Sequence, residues 1–297
     1  MIINFQIIIQ LLVFGLTWGA LFALTANGLN LVFGVTRILN VAHGEFLMLG
    51  AYIAFWLFSI FGLGPAVSVF VSAVLLFLFG TLIQTIIVRP IIKADPSIEK
   101  VEKATLIVFF GVLLFLQNSA LILWTADYRI VTYLEEPIHL WGISISTNKV
   151  IVFFVALVVC LLLQLFMKGT FIGKAIRAIS EDREAGAMLG INPNSIGLLS
   201  FGLGAALAGI GGSLVGMVYV ITPTMGLIFT VKSFIVMVLG GLGNVTGTLY
   251  AGIFLGILES LGSFFLGEAY KEVLDYIVLS IFILLFSKGY IRRKGVI

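Results

Sequence analysis

The chain has 297 residues, of which 61% are hydrophobic and only 10% charged, and its mean hydropathy is +1.20. A soluble domain carries about 25% charged residues, so most of this surface must face lipid. The net charge of +3 comes from basic residues set between apolar runs rather than on one soluble face, which excludes nucleic acid as an expected partner. One cysteine, Cys160, and two distant histidines, His43 and His139, supply neither a disulfide framework nor a metal set.

In chain order, the stretch from Ile2 to Leu24 has no basic region ahead of it and is too long for a signal-peptide core, so it reads as a first span rather than a cleaved leader. A crossing helix needs about 20 apolar residues. Runs near 5–25, 45–62, 65–88, 104–124, 149–167, 197–220 and 273–287 meet this need. None alternates in the manner of an outer-membrane strand. The region 231–266 is long and apolar but broken by Gly240-Gly241-Leu242-Gly243-Asn244 and by Gly247. It predicts one helix plus a short piece ending at the glycine cluster. A break of this kind survives only where protein or a water-filled cavity satisfies the freed backbone.

Polar residues interrupt the chain early as well, from Asn27-Gly28-Leu29-Asn30 through Asn40-Val41-Ala42-His43-Gly44-Glu45. Paired interruptions in two halves point to a transport path and allow an internal two-fold repeat. The expected fold is therefore all-α: a polytopic bundle of about eight spans plus broken or re-entrant half-helices, in one domain covering 1–297.

Thirteen of the 17 basic residues fall in three segments or at Arg37. The segments are 89–103, 168–196 and the tail with Lys288, Arg292, Arg293 and Lys294. The positive-inside rule puts these, and the C-terminus, in the cytoplasm. The loop 125–148, with Asp127, Glu135 and Glu136, lies outside. Lys232 and Asp275 sit near span ends and are expected to reach toward the interface. Span 197–220 is rich in Gly and Ala, which suits close helix packing in lipid, within the bundle or against another subunit.

Segment 168–196 is more elaborate than a connection between spans requires. Ser180 reads as an N-cap, with Glu181, Asp182 and Glu184 in the first turn, where the helix dipole favours acids. Gly190 and Pro193 mark the stop. A helix near 181–189, with Lys174 and Arg177 ahead of it, reads either as a docking element or as a solvated basic loop.

Three stretches resemble one family. Glu184-Ala185-Gly186-Ala187-Met188-Leu189-Gly190 is similar to the EAA loop of ABC importer permeases, with Gly186 in place of the second alanine and only Pro193 echoing the downstream part. Gly28 to Val35 together with Asn40 to Phe46, and Leu239 to Asn244, resemble the signatures of branched-chain amino-acid permeases, in particular the shorter of the two paralogues. This resemblance implies a permease subunit in a prokaryotic inner membrane. Its partners would be two cytoplasmic ATPases, a second permease and an external substrate-binding protein. Glu184, Ala185 and Gly190 would then carry ATPase coupling, and Arg177, Glu181 and Asp182 join them by position on the same loop.

ATP hydrolysis is not expected of this chain. The nearest approach to a P-loop, Gly169 to Ala175, is one residue short and has alanine where the Mg²⁺-binding hydroxyl belongs. No catalytic residues, cofactor or metal are expected. Asn40, His43, Glu45, Asn244 and Glu259 are the candidates for the translocation path. Carboxylates at such depth are costly and often line a path. Glu45 could instead be held by the dipole at the cytoplasmic start of a helix, and the asparagines and His43 could serve broken backbone. A permease for another small solute and an ion-coupled secondary transporter are the rival readings.

Overall fold

The computed structural model describes residues 5–94, 98–134, 136–140 and 143–287. Glu135 and the basic tail from Lys288 onward lie outside the described residues. Helix α1 spans Phe5–Thr36, and at 1.5 Å per residue its 32 residues reach about 48 Å. Helix α2 is His43–Phe61. Helix α3, Pro65–Ile83, runs through a π-helical turn at Gln84–Val88 into α4, Arg89–Ala94. Pro90 lacks an N–H, and the wider turn just before it accommodates the missing bond. Helices α5, Ile98–Trp124, and α6, Thr147–Gly169, follow, joined by a loop that holds a short hairpin of β1, Pro137–Leu140, and β2, Ile143–Ser146. Two short helices come next: α7, Phe171–Glu181, and α8, Arg183–Met188. The chain ends in α9, Pro193–Val215, α10, Met225–Gly240, α11, Val245–Leu266, and α12, Lys271–Ser287.

Among the described residues, seven helical stretches are long and apolar enough to cross a membrane: α1, α2, α3 with α4, α5, α6, α9 and α11. This is the expected polytopic bundle. The broken region resolves into the 16-residue α10 and the full-length α11. The short helix ends at the glycine cluster, as its sequence suggested, but it begins at Met225, six residues before the expected 231. Residues 225–230 are helical because they pack inside the bundle, where the Thr230 hydroxyl bonds to Gly44 N and the Val41 carbonyl.

Close backbone approach organises the packing. Helices α1 and α11 meet through two small-xxx-small pairs, Gly15 with Gly19 and Gly252 with Gly256. A Cβ at Gly19 would fall 2.6 Å from the Ile253 Cα, and one at Gly15 2.7 Å from the Ile257 Cα. In lipid, where burial from water cannot drive helix association, such contacts supply van der Waals attraction directly. Helix α9 is the most enclosed span, touching α1 at Gly28–Gly204, α2 at Gly50–Gly209 and α3 at Gly80–Ala205. Its small residues thus serve the bundle itself.

The two ends of the bundle differ. One end, the basic end, gathers α4, the start of α5, α7, α8 and the ends of α1 and α10, with Arg89, Lys93, Lys174, Arg177 and Arg183. The far end gathers residues 62–64, 125–134, 136–140, 143–146, 216–224 and 267–271. There Arg129 bridges to Ile221, and its guanidinium lies 5.1 Å and 5.0 Å from the Phe55 and Trp56 ring centroids.

Replacing Gly256 by Leu forces α1 and α11 apart. The expected cost is roughly 1–3 kcal/mol, the usual range for overpacking. It is measured as a lower melting temperature of the purified protein in detergent; an unchanged melting curve would show that the two backbones do not meet as described.

Candidate translocation path and coupling loop

The first interruption is a re-entrant segment. Helix α1 ends at the basic end, and Arg37 takes a left-handed conformation, φ 57°, with its N–H on the Phe33 carbonyl at 2.9 Å. The chain then turns back into the bundle, so that α2 starts level with Thr25. That is 11 residues, roughly 16 Å along the helix, from Thr36. His43 Nε2 lies 2.9 Å from the Thr25 carbonyl, and Gly28 is in contact with the His43 ring. Glu45 is in the first turn of α2, as expected. That turn lies inside the bundle, not at a cytoplasmic surface. Residues 37–42 are too few to form another helix and just enough, extended, to bring the chain back to that depth.

Side chains replace the lost helical bonds along this segment. Thr36 Oγ1 accepts from Ile38 N at 3.3 Å, and Asn40 Oδ1 accepts from Ala42 N at 3.1 Å. Thr230 of α10 accepts from Gly44 N at 2.8 Å and donates to the Val41 carbonyl at 3.1 Å. Glu45 is buried against Gly226, and among the described residues neither carboxylate oxygen has a protein donor. The other ring nitrogen of His43, Nδ1, and the Asn40 amide Nδ2 also have no partner among them. Asn40, His43 and Glu45 thus lie together in the buried interior where α1, α2 and α10 meet.

The second interruption is the turn between α10 and α11 at the basic end. Gly241 and Gly243 adopt φ 98° and 78°, open to glycine and strained for other residues. The turn is held by Asn30. Its amide donates to the Gly241 carbonyl at 3.1 Å and to Thr248 Oγ1 at 2.7 Å, and its oxygen accepts from Gly243 N at 2.6 Å. Asn244 is exposed and caps α11 by accepting from Gly247 N at 3.0 Å. It thus lies apart from Asn40, His43 and Glu45. The two interruptions sit at different depths along α1, one level with Thr25 and the other with Asn30 to Gly34.

Glu259 belongs to a third place, near the far end. Its carboxylate accepts a hydrogen bond from Lys232 of α10, and Lys232 also reaches Asp275 of α12 at 2.6 Å. Lys271 lies 3.3 Å from the other Glu259 oxygen. Lys232, Glu259 and Asp275 are all buried. Lys232 and Asp275 therefore do not extend to the interface. The ammonium instead ties three helices together, because paired charge inside the bundle is cheaper than a lone charge and the three side chains lie within reach. The five path candidates thus divide among three sites.

The coupling segment also differs in detail from its sequence reading. Thr170 caps α7. Ser180 lies inside α7, and the cap of the next helix is Asp182, whose carboxylate accepts from Glu184 N and Ala185 N at 2.9 Å and 3.0 Å. The two-residue step from Asp182 to Glu184 suits an Asx cap better than the longer reach from Ser180. The helix expected near 181–189 is thus Arg183–Met188. Gly190 stops it at φ 82°, as its spacing suggested, and Asn192 caps α9 ahead of Pro193. Arg177, Glu181, Asp182, Glu184, Ala185 and Gly190 are all exposed, and Met188 and Leu189 are 85% and 79% exposed. Ser180 faces inward: a Cβ on Gly243 would meet its hydroxyl at 2.9 Å, and Arg37 donates to its carbonyl at 3.0 Å. A cleft of about 640 Å³ lies between this loop, the end of α1 and the α4–α5 corner.

The sequence reading had missed Asn30, Ser180, Thr230 and Lys232 as working residues. Asn30 offered a signal, since an amide in the middle of an apolar span needs a partner. The others could not be paired without knowing which helices adjoin.

With this geometry in place, comparison with known proteins decides the family. The family described as the permease component of the branched-chain amino acid transport system matches residues 11–286. The chain belongs to this family. It is 33% identical to the high-affinity branched-chain amino acid transport system permease protein BraD of Pseudomonas aeruginosa, over 97% of both chains. It is 31% identical to the permease protein LivH of the corresponding system of Escherichia coli K12, over 99% of this chain and 98% of that one. LivM of the same bacterium is more distant, at 24% identity over 79% of this chain and 59% of its own. No solved structure matches the chain. Family membership and the seven spans make this a multi-pass membrane permease subunit, and the shorter LivH-type relatives match it end to end.

Replacing Asn30 by Leu leaves the Gly243 N–H without its acceptor and the Gly241 carbonyl with only the Asn244 N–H, at 3.0 Å. The expected loss is roughly 1–3 kcal/mol per buried group left unsatisfied, seen as a lower melting temperature of the purified chain. Lys232→Met, which strands the buried Asp275 and leaves Glu259 to Lys271 alone, is expected to cost about 3–5 kcal/mol, and the added substitutions Glu259→Gln and Asp275→Asn to recover part of it.

Proposed function

We propose that this chain is the membrane-spanning subunit of an ATP-driven importer, forming the path for branched-chain amino acids across a prokaryotic cytoplasmic membrane. The observation that carries the coupling half of this reading is the contact of Ser180 with the α10–α11 turn. It joins an exposed, capped helix pair to a broken region inside the bundle. In this reading the basic end faces the cytoplasm, in keeping with the excess of Lys and Arg there, and so does the C-terminus.

A cytoplasmic ATPase receives α8, with Met188 and Leu189 entering an apolar cleft and Glu184, Arg177 and Glu181 pairing at its rim. Closure of two such ATPases moves α7 and α8 together, because Asp182 caps one helix where the other ends. Ser180 transmits the displacement to Gly243, and the turn passes it to α10. Helix α10 contacts the start of α2 through Thr230, so the same displacement reaches Glu45 and His43.

Substrate identity comes from the relatives, all named for branched-chain amino acids. Kinship to both LivH and LivM, two permease proteins of one bacterium's system, supports pairing with a paralogous permease. An external binding protein completes the assembly, delivering substrate at the far end. The ion-coupled alternative needs carboxylates that face one another along a path. Glu259 and Asp275 do meet, but around the Lys232 ammonium, with Lys271 beside them, and Glu45 lies on another helix.

Purification from native membranes in mild detergent tests the assembly. The expected result is recovery of P-loop ATPases and a second permease with this chain. Recovery of the chain alone, under conditions that hold comparable complexes together, would overturn the importer reading. In the assembled protein, Glu184→Lys is expected to abolish ATP-dependent leucine uptake while leaving the subunit in the membrane; normal uptake would remove α8 as the docking element. Single cysteines at Ser180, Thr222 and Ser263 check the orientation, the first reacting from the cytoplasmic side and the other two from outside.

A further inference from the structure

The charged cluster at the far end borders a cavity that the bundle does not fill. This vestibule, of about 310 Å³, is lined by Trp18 and Phe22 of α1, Tyr219, Phe229 and Lys232 of α10, and Lys271 with Glu268 and Glu272. Its size is at the small end of the roughly 300–1,000 Å³ usual for ligand pockets. A smaller cavity of about 180 Å³ adjoins it around Ile228, Lys232 and Glu272.

The walls have a definite chemistry. Trp18, Tyr219 and Phe229 pack on one another, with ring centroids 5.7 Å apart for Trp18 and Tyr219, 5.8 Å for Tyr219 and Phe229 and 6.4 Å for Trp18 and Phe229. Mutual packing fixes an apolar wall. Lys232 is held by Glu259 and Asp275 and is thereby committed. Lys271 is only half-buried, lies 5.1 Å above the Trp18 ring and shares one carboxylate at 3.3 Å. Its ammonium retains donors for a further acceptor. Glu268 and Glu272 are exposed on the same rim and join no ion pair among the described residues. The vestibule therefore presents a cation with spare donors, carboxylates of opposite sign beside it and an aromatic surface below.

We propose that this vestibule is a docking site for a zwitterionic, apolar α-amino acid, with its carboxylate on Lys271, its ammonium on Glu272 or Glu268, and its side chain against Trp18, Tyr219 and Phe229. The proposal rests on the importer reading and adds to it a substrate site within this chain. Two charges of opposite sign are required together. A carboxylate without an ammonium meets the surrounding acids, and an amine without a carboxylate brings a second cation to Lys271 with no acceptor for its spare donors. The half-open rim makes the site a weak one, suited to a solute that must also leave.

Photo-leucine, a diazirine analogue of leucine, tests this on the purified full chain in lipid nanodiscs, with labelled peptides identified by mass. Label is expected on peptides bearing Trp18, Tyr219 or Phe229. Excess L-leucine should suppress it roughly tenfold, whereas 4-methylpentanoate and isoamylamine, each lacking one charged group, should not. Lys271→Gln and Glu272→Gln should lower labelling by a similar factor, and Lys271→Arg should retain it, with all three variants eluting as the parent does. Label that falls elsewhere, ignores L-leucine, or persists in both charge-neutral variants overturns the site. Leucine uptake by vesicles holding the assembled transporter is read alongside. Uptake by the parent with an unlabelled vestibule removes only the vestibule, whereas a parent that does not take up leucine removes the importer reading itself.

Discussion

A polypeptide inside a lipid-facing bundle must satisfy each backbone group from within, because hydrocarbon offers no partner. This chain breaks its helices once in the interior, at the re-entrant segment, and once more in a tight, partly buried turn at the basic end. At the turn after α10 the demand is met largely by one amide group, since Asn30 bonds to Gly241, Gly243 and Thr248 at once. On the re-entrant segment it is shared by Thr36, Asn40 and Thr230. Asn30, Thr36 and Thr230 stand on neighbouring helices, and Asn40 on the break itself. The breaks are therefore fixed in shape, and Gly241 and Gly243 keep conformations that a freely hydrated loop would have no need to hold.

Helix α10 is held by polar contacts of two kinds. Half-way along it, Lys232 joins it to α11 and α12 through two buried carboxylates. At the basic end, Asn30 holds the turn that follows it, and Ser180 packs beside Gly243. Breaking a buried ion pair costs far more than forming it contributes, because the remaining charge is left without water. The Lys232 cluster thus acts as a fixed post, while the neutral hydrogen bonds at the basic end can be exchanged at lower cost.

Much of this was legible in the sequence, in proportion to how local each signal was. Span positions follow from runs of apolar residues, and the break at Gly240 to Asn244 follows from glycines that no straight helix would gather. Gly190 and Pro193 marked a helix end by local chemistry alone. Ser180 was misread because Asp182 satisfies the same capping pattern two residues later, and a cap is decided by which side chain the backbone turns toward. Glu45 was correctly put in a first turn, but its depth depends on how far six extended residues carry the chain back into the bundle. Lys232 and Asp275 are 43 residues apart, so nothing local distinguishes a buried pair from two side chains reaching toward the headgroups. The small-xxx-small steps at Gly15–Gly19 and Gly252–Gly256 were present in plain sight, yet their meaning rests on facing one another.

The small residues extend the same constraint from the long spans to the short helix. Helices α1 and α11, and α1 and α9, are joined where backbone lies against backbone, as at Gly19–Ile253 and Gly28–Gly204. Helix α10 is bounded in the same way: a Cβ on Gly44 of α2 would collide with the Gly226 carbonyl, and one on Gly247 of α11 with the Gly240 carbonyl. Such surfaces have no flexible side chains to absorb a shift, and close-packed interfaces change by discrete steps rather than by continuous yielding. A rearrangement of α10 would therefore be a step that carries the start of α2 with it, and the polar groups around Glu45 lie at that contact.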